Sequence, residues 1–373
     1  MRRPSPTACR RNGLRPCELV FHGRIAVRKC DWYAIYHSRY AFSMVTESVS
    51  ESVGTPTVYD RLVDYMFQPT RDRFFKNVQF SEPAGDHGWF GPGSAVWYLH
   101  EHLPTVQIGL AAAAMIETLH PDMAWMGYEH TRALERIDGV PTGRFDADAL
   151  ASRGGHTLSF FLGVAFGPSS VAERVSRVVR GMHDRVEGVR PDGHPYRASD
   201  PDLLCWNYCT MAWALAAAHE RYHPRPMHGE RLEEFFREYA RMGVELGAAN
   251  VPTTKAGVHK VLEDSLPVLG VTMPTVEHLN PLAPWRYPVH LRPLYGLLFW
   301  VVQDLHPMWA QRLMNTPQYS WPRKAVMRGA VRLLVRAMRD GKIREVHQSY
   351  ARVAAGADSR PASAPASKVA AGR

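Results

Sequence analysis

Three groups of residues in this chain have types and spacings that could do chemistry. The first lies in GMHDRVEGVRPDGHPYRASDP, residues 181–201, where His183 borders an apolar helical stripe and Arg180 and Arg185 stand close by. A neutral imidazole there either completes a hydrogen-bonded core or ligates a metal. Gly181 removes a side chain where helix propensity favours alanine, which would leave room for a flat ligand to come close. The second group is Arg153 and Thr157, one helical turn apart in SRGGHTLSFFLGVAFG. Arginine stays charged, so in a pocket it would take a carboxylate, a propionate or a bound anion, and Thr157 would add a hydroxyl donor on the same face. A helix start uses the same pair for capping. The residues alone leave both readings open.

The third group is HERYH, residues 219–223. On a helix His219 and His223 would share a face as zinc ligands, with Glu220 polarising a water. Pro224 ends the helix at the second ligand, however. His228 falls one place short of the extended spacing, and Pro226 occupies the glycine position. A zinc hydrolase is therefore the alternative reading, with solvated helix-end residues as the plain one. His100 and His102 in LHEH offer no complete ligand set.

These residues need elements to hold them, and the pattern is helical almost throughout. SSVAERVSRVVRGMHDRVEG puts Val171, Val175, Val178, Val179, Met182 and Val186 on one face, and Ser170 with Glu173 reads as a capping box. Asp200 and Pro201 open a helix that Pro224 stops. Cys205 and Cys209, four apart on it, read as small core residues rather than a redox pair. PTVQIGLAAAAMIETLH, ERLEEFFREYARMGVEL and RKAVMRGAVRLLVRAMRD are further helical stretches. No series of hairpins, no strand–helix alternation and no repeat is evident, so the chain is expected to be all-α.

Residues 1–43 hold nine Lys/Arg against Glu18 and Asp31, so seven of the nine net positive charges sit there. The remainder is close to neutral and lacks the footprint of a nucleic-acid binder. That basic segment, with Cys9, Cys17 and Cys30, shows no periodicity and no apolar signal core, and is expected to be a disordered extension upstream of a start near Met44. Residues 44–352 form the expected single domain, and the Ala/Pro/Ser-rich 353–373 an expected disordered tail. Apolar runs such as LLFWVV fall well short of the ~20 residues of a membrane span. A cytoplasmic location is expected.

Taken in order, GWFGPGSAVWYLHEH, ETLHPDMAWMGYEHT, the Arg153–Thr157 turn, GVAFG, the His183 block and AHERYH…EEFFREYARMGVELG resemble the oxygenase family of the latex-clearing proteins (rubber oxygenases) and MpaB-type oxygenases. The resemblance spans roughly residues 60–250 and is weaker near 292–302. The most specific part is His-x-x-Val-x-Gly followed by Gly-x-Pro-Tyr-x-Ala and Asp-Pro. It implies a globin-like helical domain around haem b, with His183 as proximal iron ligand and Arg153 and Thr157 near the haem. Arg153, Arg180, Arg185 and Arg197 are the candidate propionate partners, and Gly181 would let the macrocycle approach. It also implies oxidative cleavage of an isoprenoid double bond by dioxygen, with a non-catalytic haem or lipid carrier as the other outcome. Two departures stand out. Gly154-Gly155-His156 replaces the basic residue that precedes the threonine in many relatives, so His156 either nears the open side of the haem or faces solvent. No carboxylate takes the place of the family's proposed base, although Glu135, Asp146 and Asp148 lie in the region.

Overall fold

The computed structural model describes residues 56–358 apart from 77, 280–282, 287, 339 and 340. The expected extension, 1–43, lies outside them. Fourteen α-helices carry the described chain: α1 (Val58–Phe74), α2 (Ala95–His100), α3 (Leu103–Glu117), α4 (Pro121–His130), α5 (Ala147–Phe166), α6 (Ser169–His183) and α7 (Pro201–Tyr222), then α8 (Glu230–Leu246), α9 (Lys255–Asp264), α10 (Met273–Leu279), α11 (Arg292–Leu305), α12 (Met308–Leu313), α13 (Trp321–Ala337) and α14 (Arg344–Asp358). The fold is all-α, as the periodicity predicts.

The centre is α7. Asp200 caps it by accepting the Asp202 and Leu203 N–H groups, Pro201 fills the first turn, and the helix stops before Pro224. Leu203, Trp206, Cys209, Trp213, Leu215 and Tyr222 are all buried, so α7 is enclosed on nearly every side. Cys205 and Cys209 are free, buried thiols. The closest neighbour of α7 is α3. Gly109 makes that approach possible, because a Cβ there would lie 3.0 Å from Leu215 Cα.

Three features differ from the sequence expectation. Two small antiparallel hairpins interrupt the helices, β1 (Leu134–Ile137) with β2 (Val140–Phe145) and β3 (Glu187–Val189) with β4 (Pro195–Arg197). At the first, Asp138 and Gly139 both take positive φ, which is the backbone a two-residue hairpin turn requires.

The capping box of Ser170 and Glu173 does not form. The helix starts two residues earlier than that box would place it, and Asp86 accepts both the Ser169 N–H at 3.0 Å and the Ser169 hydroxyl at 2.9 Å.

Third, the tail does not begin at 353, because α14 runs on to Asp358. Arg352, 1 % exposed, holds it in place by donating to the backbone oxygens of Asp86, Phe80 and Phe166 at 2.7, 2.6 and 2.9 Å. These three bonds, with the Ser349 hydroxyl that also donates to the Phe166 carbonyl at 2.9 Å, fix this last helix to the core.

Candidate functional site

Helices α5 and α6 form an antiparallel pair joined only by Gly167 and Pro168. The corner is tight. A Cβ on Gly167 would collide with the Gly163 carbonyl, and one on Gly163 would meet Val171 and Val175 at 3.8 Å. Arg153 on α5 and His183 on α6 each lie about four turns from that corner, roughly 20 Å along its helix. The hairpin therefore brings both to the same end, with Thr157 one turn nearer the corner.

At that end the pair is not sealed. Val171, Val175, Val178 and Met182 lie in line along α6 at three- and four-residue steps. Val171 is buried, whereas Val178 and Met182 are 57 % and 58 % exposed. The stripe that reads as core is thus covered near the corner and open where the charged residues are. His183 lies on a different face, in line with buried Ala172 and Ser176 and half-buried Val179, and is itself half-buried. Its Nδ1 is buried with no hydrogen-bond partner, and burial lowers its pKa against a smaller opposing pull from Asp184.

Arg153 is exposed, Thr157 half-buried, and neither makes a hydrogen bond or ion pair among the described residues. Arg180 and Arg185 are likewise exposed and unpaired among them, and Arg197 stands 3.4 Å from Glu187. Gly181 does not stand where a flat group beside His183 would need it. Two residues along a helix is a 200° turn, so it lies on the far side of α6, with open space around it. His156 turns towards α1, its ring edge-on to Phe74 at 5.0 Å, and Gly155 is a glycine because a Cβ would strike the same phenyl ring.

One residue missing from the sequence reading joins this end. Glu117 closes α3, keeps a little accessible surface, and sits deep among packed atoms. Burial pushes its carboxyl pKa up to about 8, with the Thr210 hydroxyl, donating to Oε1 at 3.1 Å, and the charge of Arg153 pulling the other way. The same guanidinium lowers the pKa of His278 on α10, a shift caused first by burial. Arg153 is thus the shared charge among α3, α5 and α10. The three carboxylates weighed from sequence have other tasks. Asp146 caps α5, Asp148 stands 3.6 Å from Arg73, and Glu135 accepts from Thr142 at 3.0 Å in the first hairpin.

The HERYH residues do not converge on a metal. His219 Nε2 accepts the Met227 N–H at 2.9 Å and His223 Nδ1 the Arg225 N–H at 3.0 Å. Their rings stack at 4.3 Å, and Glu220 is tied to Lys255 at 2.7 Å. Among the described residues no group of three His, Cys, Asp or Glu is arranged to hold a metal ion. A cavity of about 630 Å³ with mixed polar and apolar walls opens beside β4 and the start of α7, lined by His120, Asp122, Arg197, Asp200 and Trp206 among others. It contains none of His183, Arg153 and Thr157.

No curated protein and no solved structure matches the chain. A family model does, over residues 97–340, farther towards the C-terminus than the sequence motifs reach. That match covers more than half of the chain and includes the α5–α6 pair, Glu117 and α7, so the protein belongs to the family described as ER-bound oxygenase mpaB/B'/Rubber oxygenase, catalytic domain.

Proposed function

We propose that the protein is a haem b-dependent oxygenase acting with dioxygen on an apolar substrate, with His183 as the proximal ligand of the iron. The observation that carries this reading is the buried, unpartnered Nδ1 of His183, at the end of the α5–α6 pair to which Arg153 and Thr157 also belong. Burial favours the neutral form of the His183 ring, and a neutral ring has the lone pair that an iron ligand needs. Haem b, when bound, supplies the activation of dioxygen.

The other roles follow from what each side chain has free. Arg180 and Arg185 have no partner among the described residues and suit propionates. Arg153 and Thr157 carry unused donors, which can hold a propionate or stabilise negative charge as it develops. Glu117 keeps its proton near neutral pH, so it can deliver that proton and take it back at the oxygen that Thr210 does not hold. Gly181 has no role here.

The reaction itself rests on kinship with the rubber oxygenases: an isoprenoid carbon–carbon double bond is split and each carbon receives one oxygen atom, giving two carbonyl products. The test is incubation with prenyl substrates under ¹⁸O₂. Aldehydes or ketones carrying one labelled oxygen each are expected. Hydroxylated or dehydrogenated products would change the reaction class, and haem-loaded protein that takes up no oxygen with any lipid would point to a carrier.

A further inference from the structure

The outward face of α13 has no counterpart in the site just described. Inwardly the helix is well anchored. Val331 and Val335 are 2 % and 3 % exposed, and the Arg328 guanidinium pairs with buried Asp304 at 2.7 Å. Outwardly, Pro322, Val326, Gly329, Ala330, Leu333 and Ala337 recur at helical spacing, and all are exposed, Val326 and Leu333 at 73 % each. Trp321, 78 % exposed, stands at the N-terminal end of the helix.

The charges are one-sided. The helix WPRKAVMRGAVRLLVRA has no acidic residue. Arg323 lies along one border of the apolar strip, Arg332 and Arg336 along the other. None of the three pairs with a carboxylate among the described residues: Arg323 lies over the Tyr319 ring at 3.9 Å, and Arg332 donates to the Arg221 carbonyl at 2.9 Å. An apolar strip between uncompensated arginines, with an indole at one end, matches the boundary between lipid headgroups and acyl chains. A second copy of the chain would set the same arginines against each other, since the helix carries nothing to neutralise them. No helix among the described residues is long and apolar enough to cross a membrane, so the contact would lie on the surface.

We propose that α13 docks the protein on anionic phospholipid surfaces, lying in the membrane plane with Val326 and Leu333 in the acyl boundary and Arg323, Arg332 and Arg336 at the phosphates. The inference is independent of the haem assignment.

The experiment is co-sedimentation of the full chain with vesicles of phosphatidylcholine and phosphatidylglycerol, and with phosphatidylcholine alone. Binding to the mixed vesicles is expected, weakened by salt and nearly absent without the anionic lipid. Val326→Asp with Leu333→Asp should reduce it at least about tenfold, as expected when two apolar anchors are lost. Arg336→Gln should reduce it about fivefold. Thermal melting of each variant should be unchanged, because these positions face solvent. Wild-type protein that ignores anionic vesicles, or variants that bind as well as wild type, would overturn the proposal. So would a dimer that the apolar double variant converts to monomers while vesicle binding persists.

Discussion

Glu117 and His183 are both ionisable groups that burial favours in the neutral form, and they differ in how visible they were. His183 stood out through its place on an apolar stripe and through the motif after it. Glu117 did not, because MIETLHP carries no sign that Thr210, 93 residues on, donates to it. Its carboxyl is the more direct to test. Because its folded pKa is raised from 4.5 to about 8, its contribution to stability is fully present below 4.5 and is lost as the pH climbs through 8. Glu117→Gln removes that loss. The variant should therefore gain stability relative to wild type as the pH rises across this window, by up to about 5 kcal/mol, with the difference levelling off above it. Thermal melting of both proteins at several pH values measures this. A constant offset would show an ordinary carboxylate. HERYH teaches the opposite lesson: the pattern matches a zinc motif, but a backbone N–H from the following turn already occupies one ring nitrogen of each histidine, and Glu220 is tied to Lys255.

At the scale of elements, helices with local signals were legible and those fixed from a distance were not. Asp200, Pro201 and Pro224 mark α7 at both ends within a few residues. The start of α6 depends on Asp86, which lies far upstream and which burial, acting alone, would raise; the Gly88 and Ser169 hydrogen bonds hold its pKa below the usual carboxylate value instead. Ser170 and Glu173 gave the right residue types for a capping box in the wrong place. Asp86→Ala should destabilise the protein by about 1 kcal/mol, within the 0.5–2 kcal/mol range of lost caps, whereas Ser170→Ala and Glu173→Ala should have little effect. Urea unfolding midpoints distinguish the two. Equal losses from Ser170→Ala would restore the local box. The first hairpin was legible in principle, since Asp138-Gly139 is a strong turn signal, but its short strands are outweighed by the helical text around them.

For the whole molecule, the all-α class was readable because a helix needs only local periodicity, and the family because its motifs run in order along the chain. What periodicity could not show is which part of an apolar stripe is covered. Val171 and Val178 look alike in sequence, yet one packs against α5 and the other lies open to solvent. The unpartnered His183 Nδ1 is the reason to place a cofactor there, and it makes one measurement decisive: the visible absorption spectrum of the purified protein, with haem b supplied during expression, beside that of His183→Ala and His219→Ala. One haem per chain with a strong Soret band is predicted, retained in His219→Ala and largely lost in His183→Ala. A colourless wild-type protein, or a Soret band that survives in His183→Ala, would contradict the assignment of His183 as the ligand.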